Sequence, residues 1–149
     1  VIAGLLALLP LRPILTPNAI ELKELARGLF EVSPDGRAPE GVDECMALIG
    51  QHTQATVIVT LGGEGCVVRL PDGTVKKIPA SRVTNVVDTT GAGDTFNGVL
   101  AMRLAAGDDI IAAAATAVAA ASLSVTAAGA RGGMPTAAKI ASAVSGTPT

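Results

Sequence analysis

Apolar residues recur with two different spacings along the first half of the chain. Residues 19–29 and 42–52 carry apolar side chains three and four positions apart with charges between them, which predicts two helices. Asn18 stands where it would cap the first of these. Residues 56–60, Thr-Val-Ile-Val-Thr, form a short β-branched run that is typical of a strand buried on both faces. The run 13–16 predicts the end of another buried strand.

Strands and helices continue to alternate in the second half of the chain. A Pro71-Asp72-Gly73 turn between two short apolar segments predicts a β-hairpin. A strand, two helices and a short final helix capped by Thr136 are predicted after it. The predicted bounds are 66–70 and 74–78 for the hairpin, 82–87 for the strand, and 95–106 and 136–144 for the first and last helices; the helix between them contains 112–121. Such alternation predicts an α/β layered fold.

The chain begins with an apolar run, residues 1–9, which Pro10 ends. The run lacks the charged start and the small-residue cleavage site of a signal peptide. It is also shorter than the roughly 20 apolar residues that a membrane span requires. A buried element is therefore predicted here. The first residue is Val rather than Met, as expected if the chain is the tail of something longer.

Composition narrows the classes of function. The chain has 149 residues, 49% of them hydrophobic, 16% charged, with a formal net charge of −2. This excludes a disordered chain and gives no basic surface for nucleic acid. Phe30 and Phe96 are the only aromatic residues, so aromatic stacking is an improbable basis for binding. Much of the apolar content is alanine, including eight of the ten residues 112–121.

The cysteines and the single histidine carry little chemistry. Cys45 and Cys66 form no metal-binding or disulfide pattern, which favours a reduced, cytoplasmic protein. His52 is the only histidine, so neither a Ser-His-Asp triad nor a multi-histidine zinc site can form. A surface position on a helix is predicted for it.

The most informative segment is Asp88-Thr-Thr-Gly-Ala-Gly-Asp94, between a predicted strand and a predicted helix. Free N–H groups at a helix start, next to glycines, can bind an anion. Asp94 beside such a site could accept a proton from a hydroxyl that attacks phosphorus. The alternative is a plain helix start that Asp94 caps. The Walker and dinucleotide patterns are both absent, the latter because Phe96 stands where it needs glycine.

This segment, continued through Thr-Phe-Asn-Gly98, resembles the C-terminal signature of the ribokinase (PfkB-type) carbohydrate kinases. Three further segments match in the expected order. They are Thr16-Pro-Asn-Ala-Ile-Glu21, Thr60-Leu-Gly-Gly-Glu-Gly65, and Ser124-Val-Thr-Ala-Ala-Gly-Ala130 with Met134-Pro135 after it. The resemblance implies a ribokinase-like three-layer αβα (Rossmann-like) fold. It also implies an ATP-dependent kinase that phosphorylates a hydroxymethyl group of a small sugar such as ribose.

The resemblance also implies roles for individual residues. Asp94 would be the base that acts on the sugar, and the backbone N–H groups of Gly91, Ala92 and Gly93 would form the anion hole. The nucleotide would be bound by Asn18, Thr60, Leu61, Gly62, Gly63, Glu64, Gly65, Gly93 and Asp94. Glu21, with Asn18, would hold Mg²⁺. A monovalent cation, K⁺, would be held by Asp88, Thr90, Ser124, Ala127, Gly129 and Gly133.

Asn18 and Glu21 also have a simpler interpretation, as a helix cap and a first-turn carboxylate. Two positions depart from the family pattern. Val118 stands where some relatives have a polar residue near the nucleotide base, and Gly132-Gly133 replaces a more usual pair such as Pro-Ser. The first departure puts direct recognition of the nucleotide base in doubt, and the second weakens the assignment of Gly133 as a cation ligand.

Family members are about twice as long, so residues 1–149 are expected to be the C-terminal part of a single kinase domain. The N-terminal sugar-binding half and lid would be absent, and the chain alone is expected to be inactive or weak. Its partners would be ATP and a sugar, with neither nucleic acid nor a membrane. Family dimers associate through the lid, so a homodimer is a further expectation for the full-length protein only. The alternatives are another sugar or nucleoside kinase of the family, such as a fructose-phosphate or ketodeoxygluconate kinase, or a nucleotide-binding module that is inactive as an isolated fragment.

Overall fold

The computed structural model describes residues 4, 7–30 and 39–145. Contacts divide the chain into two compact units: the first unit comprises Val1–Leu61 and Val67–Lys76, and the second Gly62–Cys66 and Lys77–Thr149. The helices are α1 (Ala19–Phe30), α2 (Val42–His52), α3 (Ala92–Ala105), α4 (Ile110–Ser124) and α5 (Ala137–Ser145). The strands are β1 (Ile14–Leu15), β2 (Thr56–Thr60), β3 (Cys66–Arg69) and β4 (Val75–Ile78), and short 3-10 turns span Leu9–Leu11 and Gly62–Glu64.

The strands form one sheet in the order β1-β2-β3-β4. β1 runs parallel to β2, with Ile14 opposite Thr56 and Leu15 opposite Val57. β3 and β4 are joined through the predicted turn, where the Gly73 N–H donates to the Leu70 carbonyl over 3.0 Å. The predicted bounds of β2 and α2 are confirmed at both ends. A parallel strand pair joined through helices is the arrangement that the alternating pattern predicts.

Large apolar side chains build the core of the first unit. α1 packs against α2 and β2, and the helix faces that carry the apolar spacing are the buried ones. Leu22, Ile49 and Val57 are each 0% exposed. The three central residues of β2 are buried, as expected for a strand covered on both faces.

Small side chains dominate the second unit, where α3 packs on α4 and α4 on α5. The α4 residues Ala113, Ala117 and Ala120 are all 0% exposed. Asp109 begins α4, its carboxylate accepting from the N–H groups of Ile111 and Ala112 over 3.0 and 3.1 Å. Alanine side chains let two helices approach closely, and Phe96 and Leu100 supply the larger buried groups of α3.

One prediction from the pattern is wrong, and a second finds no support in the residues that the structure describes. No strand forms over 82–87, where Val86 and Val87 are 58% and 50% exposed. The N–H groups of Val87 and Asp88 both donate to one carbonyl, that of Val125, rather than to successive residues of a neighbouring strand. In the run 1–9, the described side chains of Ala7 and Leu8 are exposed rather than buried; the rest of the run lies largely outside the described residues.

No helix within the described ranges is both long and apolar enough to cross a membrane.

Candidate active site

Asn18 and Glu21 form a reciprocal cap at the start of α1. The Asn18 Oδ1 accepts from the N–H groups of Ile20 (2.9 Å) and Glu21 (3.0 Å), and the Asn18 N–H donates to the Glu21 Oε2 over 2.9 Å. This is a capping box, and it satisfies three backbone donors at the helix start. The simpler interpretation of both residues is therefore correct. Their oxygens retain further lone pairs, so capping and a ligand role are compatible.

Asn18 and Thr60 lie side by side at the ends of the two parallel strands. A single β-bridge pairs them, and the Thr60 N–H donates to the Pro17 carbonyl over 3.0 Å. Ligands of open α/β sheets bind outside the carboxyl ends of parallel strands. The structure thus brings these two predicted nucleotide-binding residues of the first unit together.

The Gly-Gly-Glu-Gly loop after β2 makes a 3-10 turn, closed by the Gly65 N–H donating to the Gly62 carbonyl over 3.0 Å. Gly62 and Gly65 adopt the left-handed region, with φ of 57° and 94°. A Cβ at Gly65 would collide with the carbonyl oxygen of Ile78, so only glycine fits there. Gly63 and Glu64 are exposed, and Leu61 is half-buried. An exposed, glycine-rich backbone is one that a nucleotide can approach closely.

The Gly-Ala-Gly-Asp segment forms the first turn of α3 itself. The helix begins at Ala92, three residues before the predicted start, because Gly91 takes a left-handed φ of 79° and its carbonyl accepts from the Thr95 N–H over 2.9 Å. The Gly93 and Asp94 N–H groups lie in the first turn, where the helix supplies no acceptor. The Ala92 N–H, expected to face an anion, already donates to the Thr89 carbonyl over 3.2 Å. Asp94 is exposed.

Asp88 joins the segment before α3 to the loop after α4. Its Oδ1 accepts from the Thr90 N–H over 2.9 Å, and its Oδ2 accepts from the Gly129 N–H over 2.8 Å. The hydrogen bonds from Thr90, and then that from Gly129, hold the pKa of Asp88 below its ordinary value. The side chain is therefore an anion near neutral pH.

The structure brings together several of the predicted ligands of the monovalent cation: Asp88, Ser124, Gly129 and Gly133. The Gly133 N–H donates to the Gly129 carbonyl over 2.9 Å, and a Cβ at Gly133 would collide with the Ser124 carbonyl oxygen. Thr90 and Ala127 are exposed on the flanking turns. An ionised carboxylate with neighbouring carbonyl groups is an all-oxygen set, which suits a hard cation.

The predicted Mg²⁺ site rests on the Glu21 carboxylate. No group of three or more acidic, cysteine or histidine side chains that could hold a metal occurs among the described residues. Mg²⁺ is often bound through one or two carboxylates together with substrate phosphates. A single carboxylate at Glu21 fits that mode and does not fit a metal cage made only of protein.

Three features of this region have no recognisable signal in the sequence. The Val125 carbonyl accepts two N–H groups, and a Cβ at Gly91 would lie 2.7 Å from the Ala130 Cβ. The Thr95 hydroxyl is buried and finds no hydrogen-bond partner in the described part of the chain. Contacts through a carbonyl or through the lack of a side chain depend on backbone paths, which residue types do not specify.

Comparison with known proteins identifies the family to which the chain belongs. The model of the pfkB family of carbohydrate kinases matches residues 2–137. That match covers most of the chain, so the chain belongs to the pfkB family of carbohydrate kinases. The family assignment from the four ordered motifs is confirmed.

Individual relatives agree with this. The chain is 41% identical over 122 residues to a ribokinase of Lactococcus lactis, covering 81% of this chain and 35% of that protein. Among solved structures it is similar to an Arabidopsis thaliana ribokinase complexed with ribose and ATP (TM-score 0.76, 27% identity, 91% and 41% covered). It is also similar to a fructokinase double mutant of Vibrio cholerae O395 bound to fructose, ADP and a potassium ion (TM-score 0.71, 26% identity, 87% and 39% covered).

These likenesses establish the ribokinase-like α/β fold that the motifs imply. The chain spans about a third of the length of the Lactococcus ribokinase.

Proposed function

We propose that the protein is an ATP-dependent sugar kinase that transfers the γ-phosphoryl group to a hydroxymethyl group of a small sugar such as ribose. Family membership supports the reaction class, and the ligands of the Arabidopsis structure support the choice of nucleotide and sugar. A fructose-phosphate or ketodeoxygluconate kinase of the same family is the alternative substrate assignment. A cytoplasmic location stays a prediction, as does a homodimer of the full-length protein.

The observation that carries the proposal is the first turn of α3. Gly91, in its left-handed conformation, turns the chain so that Gly93 and Asp94 occupy that turn. N–H groups at a helix start stabilise negative charge that develops on a transferred phosphoryl group. A carboxylate beside such N–H groups can take the proton of an attacking hydroxyl. In this proposal Gly91, Ala92 and Gly93 form the anion hole, and Asp94 is the base.

Ala92 would contribute least to the anion hole, since its N–H is engaged by Thr89. The nucleotide would lie on the residues that follow the strands, Asn18, Thr60 and the Leu61-Gly62-Gly63-Glu64-Gly65 loop. When bound, Mg²⁺ would neutralise phosphate charge. Glu21 with Asn18 would hold it, and Asp88, Thr90, Ser124, Ala127, Gly129 and Gly133 would hold a monovalent cation.

The test compares Asp94→Asn with Asp43→Asn in the full-length protein. Asp43 is an exposed acidic residue in the first turn of α2, so its variant loses the same charge from the same kind of position. ATP affinity is measured by isothermal titration, and transfer to ribose by a coupled assay of ADP release. We expect Asp94→Asn to lower turnover by about 100-fold or more with little change in ATP affinity. Asp43→Asn should change neither.

Unchanged turnover in Asp94→Asn would refute the assignment of the base. We also propose that the 149-residue chain alone binds ATP but transfers phosphate weakly or not at all, in line with the share of the Lactococcus relative that it spans. Robust ribose phosphorylation by this chain would contradict that proposal. ATP binding with no transfer in any longer form of the protein would favour a nucleotide-binding module.

A further inference from the structure

The Asp88 carboxylate holds together two segments that are far apart in sequence. One oxygen accepts from the Thr90 N–H two residues on, and the other from the Gly129 N–H forty-one residues on. Hydrogen bonds to an ionised acceptor are shorter and stronger than neutral ones, and these measure 2.9 and 2.8 Å. Each oxygen of the carboxylate therefore fixes one of the two segments.

Other contacts close the same junction, between residues 87–91 and the 125–133 loop. The Val125 carbonyl accepts from Val87 over 2.7 Å and from Asp88 over 3.2 Å. Gly91 lies so close to Ala130 that a Cβ on Gly91 would be 2.7 Å from the Ala130 Cβ. The backbone of Gly91 thus packs directly against the backbone and Cβ of Ala130. Asp88 adds a side-chain hydrogen bond across this junction, which it accepts from the Gly129 N–H.

The junction fixes the start of α3. Residues 88–91 form the turn that ends at Gly91, and the Gly91 carbonyl accepts the first helical N–H, that of Thr95. A shift of the Asp88 turn would therefore move the N–H of Gly93 and the carboxylate of Asp94. Misplacement of catalytic groups by about 1 Å can lower a rate by roughly 100-fold.

We infer that Asp88 is a positioning residue for the proposed phosphoryl transfer, tying the 125–133 loop to the turn that aims the first N–H groups of α3. The inference rests on the proposed function. It assigns Asp88 a role carried by backbone hydrogen bonds, which needs no bound ion. Cation ligation through the same carboxylate, which the resemblance implies, is a separate role, and the two respond differently to potassium.

The test uses three variants of the 149-residue chain, followed by NMR. Asp88→Ala removes both acceptor oxygens. Asp88→Asn keeps one and replaces the other by a donor, so it should rescue part of the effect. The matched control is Asp72→Asn, because the Asp72 Oδ1 also accepts from an N–H two residues on, that of Thr74 over 2.8 Å, but within a single hairpin turn.

Two signals are read in each variant. The first is the hydrogen-exchange rate of the Gly129 N–H, which we expect to rise about tenfold or more in Asp88→Ala and less in Asp88→Asn. The second is the shift of the Gly93 amide signal on addition of ATP with Mg²⁺, which should be lost in Asp88→Ala and partly kept in Asp88→Asn. Asp72→Asn should leave both signals as in the wild type.

Each possible result supports or overturns the inference. The expected changes support it when the wild-type chain shows the same two signals with and without KCl. Wild-type signals at Gly129 or at Gly93 in the Asp88 variants overturn it. A change of both signals in the wild-type chain on removal of KCl also overturns it, since cation ligation would then be the role of Asp88. If Asp88→Ala does not fold, Asp88→Asn decides by the same criteria. A wild-type chain with no ATP-induced shift at any residue would instead refute the proposed function, and with it the inference that depends on it.

Discussion

Each of the two units is stabilised internally by a different kind of contact. The first unit buries large branched and unbranched side chains, with Leu22, Ile49 and Val57 fully enclosed. The second unit buries mainly alanines of α4, and its loops meet through backbone groups at Gly91, Gly129 and Gly133. Side-chain burial scales with apolar area, whereas backbone packing depends on the absence of a side chain.

This difference bears on where the proposed chemistry lies. The proposed base and anion hole belong to the unit whose loops pack through backbone. N–H groups can face a ligand only where the chain itself comes close to it, and glycines permit that approach. A core of large side chains would fill the same space. The comparison therefore predicts that large-to-small changes damage the first unit, and that small-to-larger changes damage the second.

Ile49→Ala tests the first half of this comparison and should have the largest effect. Ile49 is 0% exposed within the core of α1, α2 and β2, so truncation leaves a cavity. We expect it to lower the free energy of unfolding by about 2–5 kcal/mol. Urea unfolding followed by circular dichroism measures this. Ile20→Ala is the control, since Ile20 lies on α1 but is 72% exposed and should change stability little.

An equal effect of the two isoleucine variants would break the comparison, because burial would then not decide the loss of stability.

Gly91→Ala and Gly107→Ala test the second half. Both glycines have a left-handed φ, 79° and 95°, so alanine costs about 1–2 kcal/mol at either position. Only Gly91 faces a close neighbour, Ala130; a Cβ at Gly107 would meet nothing within 4 Å. We expect Gly91→Ala to lose about 1–3 kcal/mol more than Gly107→Ala in urea unfolding, the usual cost of overpacking. Equal losses would show that the contact with Ala130 is unimportant.

The same difference explains how far the sequence predicts the structure. The apolar spacing of α2 and the β-branched run of β2 gave their bounds, because side-chain periodicity reports burial in a side-chain core. The run 82–87 looked like a strand by the same rule, yet Val86 and Val87 are exposed. Residue types describe side chains, whereas the end of this segment, at Val87, is held by a backbone hydrogen bond to the Val125 carbonyl.

The candidate site shows the same limit. Asn18 as a cap followed from its residue type and position. The early start of α3 did not follow, because it depends on the left-handed conformation of Gly91. The two hydrogen bonds that Asp88 accepts from Thr90 and Gly129 could not be predicted either, since the donors are backbone N–H groups. The roles of Asp94 and the anion hole came from the family resemblance and stay proposals.

Alkaline pH should lower the stability of the fold, and both buried cysteines, Cys45 and Cys66, should contribute to the loss. Burial raises the pKa of Cys66 to about 11, above its ordinary 9.0. Burial also raises the pKa of Cys45, against the opposing influence of Lys23 and Arg27. Because the pKa of each buried thiol is higher in the folded than in the unfolded state, the protonated thiol contributes its full stabilisation of the fold below about pH 9. For Cys66 it is lost as the pH rises toward about 11, because the unfolded thiol ionises first.

We expect the urea midpoint to fall between pH 8.5 and 10.5, conditions chosen around the thiol values. Cys66→Ala should flatten that decline more than Cys45→Ala does. A decline that neither variant alters would contradict the assignment to thiol ionisation.

The smallest effect should come from the ion pair between α3 and the start of α4. The Arg103 Nε and Nη2 both lie 2.6 Å from the Asp108 Oδ2, but the side chains are 39% and 22% exposed. Solvent screens such a pair, so Asp108→Asn should cost only about 0.2–1 kcal/mol, and less at high salt. Asp109→Asn is the control, because asparagine also caps a helix well. A loss as large as that of Gly91→Ala would mean that charge, rather than backbone packing, stabilises the second unit.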